Sequence, residues 1–157
     1  MYATAVLCLV EDGRLGLNRP VQEYLPEFVG TGKEHVLVRH LLTHTAGLDD
    51  QAIRRHVAQP MEASGSGTAT ALSRARENLL LSLAAPLATP PGIAMLYSSI
   101  GYEFLGEIVR RVSEQPLAVF MAERLWGPLG MADTSFGVPE QRHRIARRRP
   151  PETTTAG

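Results

Sequence analysis

PPGIAMLYSSIGYEFLG, residues Pro90–Gly106, passes from a proline–glycine turn through an apolar run and straight into a helical pattern. Tyr97-Ser98-Ser99 stands at the junction. A phenol is therefore presented just ahead of a helix N-terminus, where unpaired backbone N–H groups and the helix dipole favour a nearby negative charge. Tyrosine is a poor base at its usual pKa near ~10, but a positive neighbour and a helix end can lower that value. Two readings are open: half of an acid/base site, or a buried tyrosine that orients a helix. Taken alone, the run favours the structural reading, because amphipathic helices with a flanking tyrosine are common.

Downstream, Ile100, Phe104, Leu105, Ile108, Val109 and Val112 share one helical face. Gly101 and Gly106 interrupt it, each at about 1 kcal/mol against alanine, and glycines so placed usually let another element approach closely. Pro116 is suited to open a further helix with Leu117, Phe120, Met121 and Leu125 as its buried stripe. Gly127-Pro128 ends it, and Leu129–Phe136 reads as a compact apolar turn. Upstream, Leu72, Ala75, Leu79, Leu80 and Leu83 mark an amphipathic helix that stops before Pro86.

Residues 49–70 contain ASGSGTAT, small and polar, which predicts a flexible surface loop. Ser64 and Ser66 lie there, without the base and rigid strand-to-helix turn that a nucleophile needs. Lys33–Leu48 predicts a helix with Val38, Leu41 and Leu42 inward and Gly47 at its end. His40 and His44 stand four apart, a spacing open to a metal on one helix face or to hydrogen-bonded histidines near a helix end. No acidic residue follows His40 as in a metalloprotease helix, which favours the second. Residues 2–12 predict a helix with Ala3, Val6, Leu7 and Val10 inward and Gly13 as a left-handed stop.

The chain has 157 residues, enough for one domain or part of a larger one, with 44% hydrophobic and 20% charged residues. Its formal net charge is zero, so bulk electrostatics give no case for a nucleic acid or an anionic membrane as partner. The lone Cys8 excludes an internal disulfide framework and a thiolate metal cluster, and reads as a small core residue. No apolar run approaches the roughly 18–20 residues of a membrane span. The N-terminal run lacks a basic flank and ends at Glu11-Asp12, unlike a signal peptide, so a cytoplasmic location is the default. The arginine-rich end, QRHRIARRRPPETTTAG, reads as a solvated tail rather than a basic arm, with residues 147–157 disordered.

HVLVRHLLTHTAGL at 35–48, and the continuous block from Pro90 to Phe136, closely resemble the serine β-lactamase-like hydrolases. That family includes class C β-lactamases, esterases and D-Ala-D-Ala carboxypeptidases. YATAVLCLVEDGRLGLNRPVQEYLPEF at 2–28 resembles the segment that follows the family's nucleophile. The resemblance implies a partial domain over residues 1–146, mainly α-helical. It corresponds to the helical region of the α/β β-lactamase and DD-peptidase fold, without most of the antiparallel sheet.

The family's catalytic set is a Ser-x-x-Lys at a helix N-terminus, a Tyr-x-Asn, and a Lys-Thr-Gly or His-x-Gly on an edge strand. Serine and lysine three apart share a helix face, so the ammonium lies beside the hydroxyl and can hold the phenol poised to take the serine proton. By that match Tyr97 is the general base. Ser99 stands where the family usually has asparagine, and as a substrate contact it has less reach than an amide. The Ser-x-x-Lys would end just before Met1, and Lys33 is the only lysine, so neither lysine motif is present.

The resemblance implies a serine hydrolase that transfers an acyl group from an ester, amide or β-lactam to water, without metal or cofactor. This chain alone is expected to be inactive. The alternative is a non-catalytic interaction module using an apolar face left by the missing sheet.

Overall fold

The computed structural model describes residues 1–58 and 70–136. Among them, six α-helices run α1 Tyr2–Glu11, α2 Val38–Leu42, α3 Asp50–Ala58, α4 Ala71–Ala84, α5 Ser99–Ser113 and α6 Leu117–Met121. A π-helical turn, Ala122–Trp126, continues α6, and short 3₁₀ turns occupy Val21–Glu23 and Lys33–His35. The nearest approach to a sheet among the described residues is an isolated antiparallel bridge between Pro20 and Leu37. The mainly helical architecture expected from the sequence is the one observed.

Helix α5 is the central element, with α1, α2 and α6 packed around it. Its buried stripe is Ile100, Phe104, Leu105, Ile108 and Val109, five of the residues the helical period selects. Burying side chains of this size is worth about 1.5–3 kcal/mol each before the entropy of ordering them is subtracted. Of the two glycines expected to allow close packing, Gly106 does so, whereas Gly101 meets only ordinary van der Waals distances. A Cβ on Gly106 would lie 2.8 Å from Tyr2 Cε1, and one on Gly101 would lie 3.5 Å from Leu48 Cδ1.

Helix α1 ends as expected at Gly13, whose φ of +70° lets the Arg14 N–H turn back to Leu9 O at 2.9 Å. Its inward face differs from the expectation. Ala5, Val6 and Leu9 are buried while Leu7 is 51% exposed, because docking on α5 turns the stripe by about one residue. Cys8 is half-buried against that core, at its margin rather than inside it.

Two expected elements take a different form. Lys33–Leu48 is not one helix: a 3₁₀ turn and the five-residue α2 share it, separated by extended backbone at Val36 and Leu37. The flexible loop expected over 49–70 begins instead with a helix, α3. The Asp49 carboxylate starts it by accepting the Gln51 and Ala52 N–H groups at 2.8 and 3.0 Å. Composition misled there because α3 is polar, with Ile53 as its one buried residue. The rest of that loop, including Ser64 and Ser66, and the expected tail over 147–157 lie outside the described residues.

Helix α4 stops before Pro86 as expected, but its leucines are unequal. Leu83 is buried, whereas Leu72 is 81% exposed. Its N-terminal half projects beyond the described core. Lys33, the single lysine, is fully buried, donating from Nζ to Leu83 O at 2.5 Å with the Phe28 ring 4.7 Å away.

Candidate active site

Three backbone hydrogen bonds bring the segment ahead of Tyr97 against the α2–α3 connection. Ala88 N–H donates to Gly47 O at 2.8 Å, Gly92 N–H to Thr45 O at 2.7 Å, and Leu96 N–H to His44 O at 2.8 Å. Gly47 is required at this seam. Its φ is +77°, and a Cβ there would lie 2.0 Å from Thr89 O.

The start of α5 is held by side chains. Ser98 is the N-cap, its Oγ accepting the Gly101 N–H at 3.0 Å. The same hydroxyl donates to Asp50 Oδ1 at 2.5 Å. Asp50 also accepts the Ser99 N–H on Oδ2 at 2.9 Å and the Ile100 N–H on Oδ1 at 3.3 Å. A carboxylate at a helix N-terminus satisfies orphan donors and complements the dipole. The local positive potential that the sequence offers to the Tyr97 phenol is thus already answered by Asp50.

Tyr97 is not a buried helix-orienting tyrosine, since it is 68% exposed. Its ring lies 4.6 Å from the His44 imidazole, centroid to centroid. His44 in turn stacks on Tyr102 at 5.1 Å and 26°, and Tyr102 donates its hydroxyl to Leu42 O at 3.1 Å. His44 Nδ1 accepts the Ser98 N–H at 3.2 Å, so this nitrogen carries no proton. His40 Nδ1 likewise accepts the Leu37 N–H at 3.2 Å. Burial, helped by the neighbouring Arg39 charge, holds His40 below the ordinary histidine pKa.

The two histidines are hydrogen-bonded at a helix end and do not share one helix face, because α2 stops at Leu42 and His44 has a φ of +56°. Among the described residues no cluster of three or more histidine, cysteine or acidic side chains is arranged for a metal.

Tyr2, His44, Tyr97, Ser99, Tyr102 and Glu103 line an open hollow of about 540 Å³. Both residues picked out in the sequence, Tyr97 and Ser99, face it. The lining includes no lysine or arginine, and Lys33 Nζ is committed to Leu83 O on another part of the molecule. Sequence reasoning missed Asp50, hidden inside a segment read as loop, and the contact of His44 with Tyr97.

The beta-lactamase family model matches residues 1–156. The chain belongs to the beta-lactamase family. Among curated relatives of this family, Esterase EstB of Burkholderia gladioli is 37% identical over 149 residues, covering 87% of this chain and 36% of that protein. A putative D-alanyl-D-alanine carboxypeptidase of Escherichia coli (strain K12) is 30% identical over 146 residues, covering 87% of this chain and 32% of the relative. Among solved structures, a penicillin-binding protein homolog from Caulobacter crescentus superposes with a TM-score of 0.64 at 31% identity, over 91% of this chain and 36% of that one. D-amino acid amidase from Ochrobactrum anthropi SV3 gives 0.65 at 29% identity, over 90% and 37%. The chain spans about a third of the length of the curated beta-lactamase-family relatives it matches. No helix among the described residues is long and apolar enough to cross a membrane.

Proposed function

We propose that this chain carries the tyrosine side of a serine acyl-transfer site, with Tyr97 as the general base. The observation that carries the reading is the exposed Tyr97 phenol, in a hollow and directly ahead of the Ser98 cap of α5. In the complete site a serine Oγ attacks the carbonyl carbon of an ester, amide or β-lactam while Tyr97 Oη takes its proton. Tyr97 then returns that proton to the leaving group, and water hydrolyses the acyl-serine by the same relay. Ser99 contacts the substrate or the lysine, more weakly than an asparagine would, because its hydroxyl is shorter and offers one donor.

The 157-residue chain by itself does not perform this reaction. It contains no Ser-x-x-Lys: the residue three before its only lysine, Lys33, is Gly30. Lys33 is also buried on Leu83 O, so it cannot act beside Tyr97 from there. A tyrosine base needs a cation close by, and the hollow's lining supplies none.

Two assays test this. The pure chain should turn over neither a chromogenic cephalosporin nor p-nitrophenyl esters, and Tyr97-dependent turnover would refute its incompetence. Residues 1–136 grafted in place of the matching region of an active family esterase should restore a site, in which Tyr97→Phe lowers kcat by about 10²–10⁴-fold. An unchanged rate would remove Tyr97 from the role of base.

A second reading, a non-catalytic interaction module, draws on the contiguous exposure of Ile93 (74%), Met95 (70%) and Tyr97 (68%). Its signature is a stable, monodisperse chain with a saturable partner. Aggregation relieved by adding the rest of the fold would count against it.

A further inference from the structure

We infer that His44 is a positioning residue for Tyr97, placed by a helix C-terminus at which glycine is the usual choice. The inference rests on the reading of Tyr97 given above. The chain leaves α2 through a paired set of hydrogen bonds: Thr45 N–H to His40 O at 2.8 Å and His44 N–H to Leu41 O at 3.4 Å. This is the Schellman arrangement, and it puts His44 at the left-handed position, φ +56°. A left-handed backbone suits glycine better than histidine, so the turn itself gives no reason for this residue and its contacts do.

Those contacts all reach one segment. The His44 carbonyl accepts the Leu96 N–H at 2.8 Å, and its Nδ1 accepts the Ser98 N–H at 3.2 Å. Its ring packs against Tyr97, the residue between those two donors, and against Tyr102 one turn into α5. His44 therefore grips the backbone on both sides of Tyr97 and the face of its ring. Glu114, the other left-handed non-glycine among the described residues, is by contrast an exposed cap at the end of α5.

The two grips separate by substitution. Asparagine tolerates a left-handed backbone and its Oδ1 can replace Nδ1 as acceptor, but it has no ring. Phenylalanine keeps a ring and loses the acceptor. Glycine keeps the turn and loses both. Resonances of the labelled chain read the result at Tyr97 itself and at the Ser98 amide. In the wild type the imidazole should displace the Tyr97 ring protons upfield. His44→Gly should abolish that displacement and shift the Ser98 amide toward a non-bonded position, while thermal unfolding remains cooperative. His44→Asn should restore the Ser98 amide without restoring the ring displacement, and His44→Phe should do the reverse.

Tyr97 resonances in His44→Gly that superimpose on the wild type would overturn the inference. So would a Ser98 amide that His44→Asn leaves at the glycine position. His44→Asn and His44→Phe retain this test if the glycine variant does not fold. These signals report position whether or not Tyr97 is the base. A dispensable Tyr97 in the grafted esterase would refute the base alone, and unmoved resonances would refute the positioning alone.

Discussion

The Ser98 hydroxyl donates to the Asp50 carboxylate at 2.5 Å while accepting the Gly101 N–H at 3.0 Å. One residue of α3 is thereby joined to the cap of α5. Removing Asp50 strips three donors of their partner at a half-buried helix end. Asp50→Ala should lower stability by about 2–3 kcal/mol, a charge-assisted bond plus part of a cap. Asp50→Asn should lose less, since an amide oxygen still accepts. Urea unfolding of the three proteins measures both, and an Asp50→Ala midpoint equal to wild type would refute the assignment.

Gly47→Ala tests the seam between residues 44–47 and 88–96. The substitution meets a left-handed backbone and a Thr89 carbonyl oxygen at 2.0 Å. The expected loss is about 3 kcal/mol or more, combining left-handed strain with overpacking. An apparent Tm within a degree or two of the wild type would show that the seam is not rigid.

Arg111 bridges Glu27 at 2.9 Å and Glu107 at 2.7 Å. The hydrogen bond from Arg111 holds the Glu27 carboxyl below its ordinary 4.5, and those from Arg110, then Arg111, do the same for Glu107. Groups with depressed native pKa values bind fewer protons folded than unfolded. Their contribution is complete above the unfolded value of 4.5 and is lost as pH falls through the lower folded values. Arg111→Leu should therefore flatten the acid limb of the stability–pH curve. It should cost only about 1 kcal/mol at neutral pH, because part of the network is open to solvent. An unchanged acid limb would disprove the coupling.

Lys33 titrates in the opposite regime. Burial lowers its pKa from 10.5 to about 8, so the native state releases this proton before the unfolded chain does. The unfolded state then binds more protons between about 8 and 10.5, and stability from this group rises with pH across that window. Lys33→Met should remove the rise. Tm measured in both proteins between pH 8 and pH 10 checks it, and parallel curves would refute it.

Local periodicity made the central helix legible, since Ile100, Phe104, Leu105, Ile108 and Val109 repeat at the helical period and are all buried. Gly13 and Gly106 were equally readable, one as a left-handed stop and the other as a close approach, whereas no contact closer than 3.5 Å calls for a glycine at Gly101. The face of α1 was not: Leu7 is as apolar as Leu9, and only docking on α5 selects between them. Residues 50–58 escaped because a polar helix with one buried isoleucine offers few apolar side chains to read, and the small residues after it suggested a loop. At the site, Tyr97 was found through its place in a block resembling a known family. Asp50 and His44 act across 48 and 54 positions of chain, separations that spacing rules do not reach.

The same separation bears on how the site assembles. The donors at the start of α5 find their acceptor only after a loop of nearly fifty residues has closed, a step opposed by chain entropy that grows with the logarithm of loop length. Helix α5 carries its own apolar stripe and its own Ser98 cap, while the Ser99 and Ile100 N–H groups depend on α3 for their acceptor. Exchange of the Ser99 and Ile100 amides with solvent deuterons should accordingly follow the opening of the whole fold rather than local breathing at a helix end. The most exposed tyrosine of the hollow thus stands beside a contact that closes across nearly fifty residues of chain.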